Sequence, residues 1–166
     1  MIDNRFCSNV GGKSMEYYKE LRKYVGHKPL ILPGSVVIIV NDKGEILLQE
    51  RNDGSWGLPG GLMNLGESLI ETAKREVFEE TRLHVDNLVL LDVLSGQEYF
   101  LKNPNGDEIY SVTAIYMCTD YTGKLKPDME ESKSLSFTNV LELPERMDQE
   151  YRDCINIYLR IFSKAE

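Results

Sequence analysis

Apolar residues are gathered in short runs along the chain, separated by Gly, Pro, Asn and Asp. Ser35-Val36-Val37-Ile38-Ile39-Val40 and Glu45-Ile46-Leu47-Leu48-Gln49 predict two strands joined by a turn at Asn41-Asp42-Lys43-Gly44. Two further apolar runs, His84–Leu94 and Ile109–Met117, flank the turn residues Asn103-Pro104-Asn105-Gly106-Asp107, and a short strand is predicted near Leu135–Phe137. Helical candidates run from Met15 to about Tyr24, from Leu69 onward, and from about Asp148 to Phe162, the last carrying Tyr151, Ile155, Tyr158, Leu159 and Phe162. Strands mixed with helices and hairpins suit an α/β fold, an α/β/α sandwich around a mixed β-sheet. Residues 1–14 lack periodicity and read as an irregular leader, and residues 15–166 as one domain ending in a helix. No internal repeat or low-complexity segment interrupts them.

The middle helix has the sharpest pattern. Ser68 and Glu71 form the Ser-x-x-Glu signature of a capping box, which makes Ser68 the N-cap and Leu69 the first helical residue. Helical spacing puts Glu76, Glu79 and Glu80 within an arc of about 100°, with Leu69, Ala73 and Val77 on the adjacent flank. One flank therefore faces a core while carboxylates line its edge. Like charges at i and i+4 oppose helix formation, so Glu76 and Glu80 do not serve the helix itself. Three glutamates alone would equally suit a solvated acidic face. Their setting argues for a site: Trp56-Gly57-Leu58-Pro59-Gly60-Gly61 precedes them as a turn that lets backbone approach a ligand closely. Glu67 follows at the mouth of the helix, and Arg75 lies beside the carboxylates, able to pair with one of them.

Composition narrows the chemistry. With 166 residues, 42% of them hydrophobic, the chain can bury a full core without staples. It has no apolar run long enough to span a bilayer, and Met1-Ile2-Asp3-Asn4-Arg5 opens no signal peptide, so no membrane association is expected. Cys7, Cys118 and Cys154 are odd in number and have no paired spacing, which favours reduced thiols, a cytoplasmic location and no zinc site. Cys118 and Cys154 sit in apolar patterns and are expected in the core; His27 and His84 lack ligand spacing. A formal net charge of −8 argues against stable nucleic-acid binding, which needs a Lys/Arg surface. Acidic residues and a phosphate-bearing partner are reconciled if divalent cations lie between them.

Gly61, Glu67, Arg75, Glu76, Glu79 and Glu80, with Val77 and Leu83 in the apolar slots, match the Nudix box, and Gly-Leu-Pro-Gly-Gly before it is typical of Nudix hydrolases. The region from Pro33 to about Pro144 resembles one Nudix domain. The resemblance implies a sandwich fold and Mg²⁺ or Mn²⁺ held by Glu76, Glu79 and Glu80, helped by the Gly60 carbonyl, with Glu67 as an outer metal or orienting residue. It implies catalysis through Glu76, Glu79 and Arg75, with Arg75 as a structural partner of a box glutamate. Glu131, in the polar stretch before the Leu135–Phe137 strand, is the candidate late-loop ligand or base. Arg51 could meet a phosphate, Trp56 could stack on a base, and Tyr99 occupies the region where relatives acting on dinucleoside polyphosphates often carry Tyr. One position departs from the box: Arg82 stands where the family has a helix-ending Gly, which predicts a left-handed residue there and puts the helix exit, not the carboxylates, in question.

Three functions follow from the resemblance. The first is a metal-dependent hydrolase of the pyrophosphate bond in a nucleoside diphosphate linked to another moiety, such as a nucleotide sugar or dinucleoside polyphosphate. The second is a nucleoside triphosphate pyrophosphohydrolase that sanitises oxidised nucleotides, and the third a non-catalytic nucleotide-binding module. The partner in each is a small nucleotide, and a homodimer is plausible by analogy.

Overall fold

The computed structural model describes residues 17–130 and 132–162. In chain order these form α1 (Tyr17–Val25), β1 (Leu30–Ile39), β2 (Ile46–Arg51), β3 (Trp56–Gly57), β4 (Gly60–Leu62), α2 (Leu69–Thr81), β5 (Leu83–Asp86), β6 (Val89–Leu94), a 3-10 turn (Gln97–Tyr99), β7 (Phe100–Lys102), β8 (Glu108–Cys118), β9 (Asp120–Gly123), β10 (Ser132–Thr138) and α3 (Gln149–Phe162). The leader expected over residues 1–14 lies outside the described residues, as does Glu131.

β1 organises the molecule. It pairs in parallel with β8 and antiparallel with β4, so the sheet β4-β1-β8-β6, with β7 on β8, is mixed. A strand covered on both faces reads as a continuous apolar run, and the run from Val36 to Val40 is one. Val36, Ile38 and Val40 pack with Cys154, Ile155 and Ile157 of α3. Val37 and Ile39, pointing the other way, pack with Ala73 and Val77 of α2. The expected α/β/α sandwich is therefore the observed architecture, and Cys118 and Cys154 are buried free thiols in its two cores.

The structure redraws one predicted element. The His84–Leu94 run is two strands in different sheets, β5 paired with β9 and β6 with β8. Asn87 adopts φ 51 between them, a left-handed conformation that Asn tolerates better than most residues, and the chain turns there. Among the described residues no helix is long and apolar enough to cross a membrane.

Two local features set up the site. β4 lies against β1 with Gly60 opposite Val36 and Gly61 opposite Ser35. α2 then starts at the predicted cap: the Ser68 side chain accepts from the Glu71 N–H, and Glu71 accepts from the Ser68 N–H at 2.8 Å. The Ser35 hydroxyl donates to the Leu69 carbonyl at 2.7 Å, tying the first turn of α2 to β1. The register of strand and helix brings the Gly-Gly turn against the glutamate face.

Candidate active site

Gly60 can only be glycine. Its φ is +152°, and a Cβ there would lie 2.2 Å from the Ser35 carbonyl oxygen. A Cβ on Gly61 would lie 2.5 Å from the Glu76 carboxylate. Bare backbone thus lets two glutamates close onto the turn: the Gly60 N–H donates to Glu80 Oε2 at 2.9 Å, and Glu76 lies over Gly61. Both carboxylates open into a cleft of about 230 Å³, which Gly60, Gly61, Arg51 and Asn64 also line.

The three helical glutamates are not equivalent, contrary to a shared surface edge. Glu80 is 5% exposed, Glu76 has 16% of its side chain exposed and Glu79 53%. Burial pushes the Glu80 carboxyl up to about 8, with Glu76 adding repulsion and the Gly60 N–H opposing the shift. Glu79 is exposed, held by Arg75 at 3.1 Å, and does not itself line the cleft.

Arg75 is the hub. Its guanidinium donates to Glu67, to Glu76 at 2.7 Å, to Glu79 and to the Leu62 carbonyl. Desolvation would lower its pKa, but the bonds to Glu67 and Glu76 outweigh this and raise it. Glu67 is occupied in turn. Beyond its Arg75 bonds it accepts from the Asn64 N–H at 2.9 Å and the Thr72 hydroxyl at 3.0 Å. Desolvation opposes ionisation of Glu67, yet Arg75 and these donors hold its carboxyl below the usual range. Arg75 and Glu67 brace the carboxylates from behind.

On the opposite wall, Arg51 ends β2 and donates to the Tyr151 hydroxyl of α3 at 2.6 Å. Burial pushes the Tyr151 hydroxyl up to about 12, so it stays neutral and holds the guanidinium in place. Gln49, 1% exposed, donates to Ser132 at 2.6 Å, and its side chain also interacts with the Glu80 carboxyl, opposing the effect of burial there. Sequence reasoning passed over Gln49, although a polar residue closing the apolar run Ile46-Leu47-Leu48 was the available signal. Tyr151 left none, because it joins Arg51 across 100 residues of chain.

Among the described residues no three carboxylate, imidazole or thiolate side chains already surround a cation position. The donor chemistry nevertheless fits a hard divalent cation. All available donors are oxygens, and two carboxylates sit in a partly desolvated cleft where each disfavours the other's charge. Trp56 and Tyr99 are placed elsewhere. Trp56 packs against the α3-side core, and the Tyr99 hydroxyl faces Asp153 at 3.4 Å, so neither lines the cleft. His27 pairs with Asp107 at 2.7 Å and His84 with the Phe78 ring, both away from it.

The chain resembles known proteins in sequence and in fold. The NUDIX domain model matches residues 31–156. The NAD-capped RNA hydrolase NudC of Vibrio atlanticus is 29% identical over 149 residues, which cover 85% of this chain and 51% of that protein. A MutT-like protein of Streptomyces ambofaciens is 31% identical over 115 residues, covering 69% of this chain and 68% of that one. The chain spans about half the length of the NudC relatives it matches. The crystal structure of a MutT NUDIX hydrolase from Burkholderia pseudomallei superimposes with a TM-score of 0.67 at 25% identity, covering 76% of this chain and 97% of that one. The match opens in β1, runs into α3 and includes Glu76 and Glu80 of the cleft, and the chain belongs to the Nudix family.

Proposed function

We propose that the protein is a metal-dependent hydrolase that cleaves the pyrophosphate bond of a nucleoside diphosphate linked to another group, by attack of water at phosphorus. The observation that carries this reading is the cleft itself: Glu76 and Glu80 converge on the bare backbone of Gly60 and Gly61, and Arg51 shares the same walls. Glu76 and Glu80, with the more exposed Glu79 and the Gly60 carbonyl, would hold Mg²⁺ or Mn²⁺. A bound cation of this kind neutralises a diphosphate and lowers the pKa of a coordinated water. Arg75, fixed by Glu67, keeps Glu76 and Glu79 oriented. Arg51, kept extended by Tyr151, presents its guanidinium to a phosphate oxygen and helps offset charge gathering there during displacement.

The similarity to a NAD-capped RNA hydrolase supports a substrate in which a diphosphate joins two larger groups. With a net charge of −8, recognition of such a substrate would rest on the diphosphate and its attached groups and not on a nucleic-acid backbone. The test is a product screen with Mg²⁺ and Mn²⁺ across dinucleotides, ADP-ribose, nucleotide sugars, CDP-alcohols, dinucleoside polyphosphates and normal or oxidised nucleoside triphosphates. The expected result is preferred cleavage of one diphosphate-linked class into two phosphorylated products. Preferred release of pyrophosphate from a triphosphate would replace this reading with nucleotide sanitation, and tight binding without cleavage of any compound would make the protein a binding module.

A further inference from the structure

α1 lies before residue 31, where the match to the NUDIX domain begins, yet it forms a wall of the cleft. None of its residues is fully buried, and polar bonds tie it down at both ends. At the start the Tyr17 N–H donates to the Asn64 side chain at 3.2 Å. At the end Arg22 donates to the carbonyls of Lys28 at 2.6 Å and Glu108 at 2.8 Å, and pairs with Asp107. Asn64 then connects to the carboxylates, because its N–H donates to Glu67, which holds Arg75.

Between α1 and the segment from Leu62 to Gly66 is a second cavity, of about 100 Å³, whose walls include Tyr17, Tyr18, Leu32, Pro33, Met63 and Leu65. It adjoins the carboxylate cleft, since Tyr17, Tyr18, Leu62, Met63 and Asn64 line both spaces. Side by side, the two spaces reach the lower end of the roughly 300–1,000 Å³ usual for small-molecule sites.

We propose that this cavity is the recognition pocket for a heterocyclic base of the diphosphate substrate, with Tyr17 and Tyr18 as its stacking surface and Asn64 as its polar contact. The inference rests on the diphosphate reading above and adds which end of the substrate is read. The walls are apolar and aromatic with one amide. Sugar hydroxyls placed there would leave water without replacement hydrogen bonds. A heterocyclic base has apolar faces that match tyrosine rings and a methionine thioether, and it confines its polar atoms to its edge, where the Asn64 amide can meet them. The pocket borders the cleft that Glu76 and Glu80 line, sharing Tyr17, Tyr18, Leu62, Met63 and Asn64 with it.

The experiment compares binding of AMP with binding of ribose 5-phosphate, in the presence of Mg²⁺, by calorimetry. The two probes share phosphate and ribose and differ in the base. Wild-type protein should bind AMP at least about tenfold more tightly, the order expected of one base–aromatic stack. Tyr17→Ala and Tyr18→Ala should reduce the preference, and the Phe variants should keep it. Should the Ala variants fail to fold, the wild-type protein still decides: ring resonances of Tyr17 and Tyr18 should shift with AMP and not with ribose 5-phosphate. Equal binding of the two probes, binding of neither, or a preference that leaves both tyrosine rings unmoved would overturn the proposal. Diphosphate cleavage without any base preference would sink the pocket and leave the hydrolase reading intact. A tyrosine-dependent base preference without cleavage would do the reverse.

Discussion

Arg82 ends α2 with φ 63 and ψ 16, a left-handed conformation that side chains with a Cβ resist and glycine adopts freely. Its compensations are small: a 4.0 Å approach to Asp128 and a guanidinium 5.5 Å from the Phe78 ring centre. Arg82→Gly should therefore be neutral or stabilise by up to about 1 kcal/mol in denaturant unfolding, with turnover unchanged. A large loss of turnover would place Arg82 in the chemistry. This residue was legible in the sequence because backbone conformation at a helix end is a local property. The burial of Glu80 was not, because it depends on how deeply β4 seats against β1, and the helix alone ranks Glu76, Glu79 and Glu80 equally. Gln49 and Tyr151 likewise gain their roles only from partners distant along the chain.

At the scale of elements, α2 is specified at both ends by its own residues and placed by one strand. Removing the reciprocal cap with Ser68→Ala should cost about 1 kcal/mol of stability by chemical denaturation, within the usual range of roughly 0.5–2. An unchanged unfolding midpoint would mean the Ser35 bond and core packing already fix the first turn. Period and turn chemistry made the long elements legible: the helices over Leu69–Thr81 and Gln149–Phe162 and the strands around Val36–Val40 and Ile109–Met117 lie where their patterns put them. Short pieces such as β3 and β9 escaped, since two to four residues hold no periodicity and exist only through a partner strand. The break at Asn87 escaped for a related reason, being one polar residue inside a run that otherwise reads as continuous.

At the scale of the whole molecule, the cleft sets stability against function. Glu80 has its carboxyl raised from 4.5 to about 8, chiefly by burial, so the folded protein retains a proton that the unfolded chain releases. The folded state binds more protons across that window, and metal-free protein should lose stability as pH rises through it, by an amount on the order of a few kcal/mol. Thermal melts with a chelator should show the slope, and Glu80→Gln should flatten it. Mg²⁺ or Mn²⁺, binding the native cleft and not the unfolded chain, should raise the melting temperature of wild-type protein at neutral pH and have much less effect on Glu80→Gln. A wild-type melting temperature that ignores both pH and cation would contradict a desolvated carboxylate at a cation site. The most direct measurement of the central claim is turnover of wild-type, Glu79→Gln and Glu80→Gln protein on the best diphosphate substrate at saturating Mg²⁺, with circular dichroism confirming that each variant is folded. Both folded variants should lose turnover by orders of magnitude; near wild-type turnover in either would contradict the assignment of these carboxylates to the reaction.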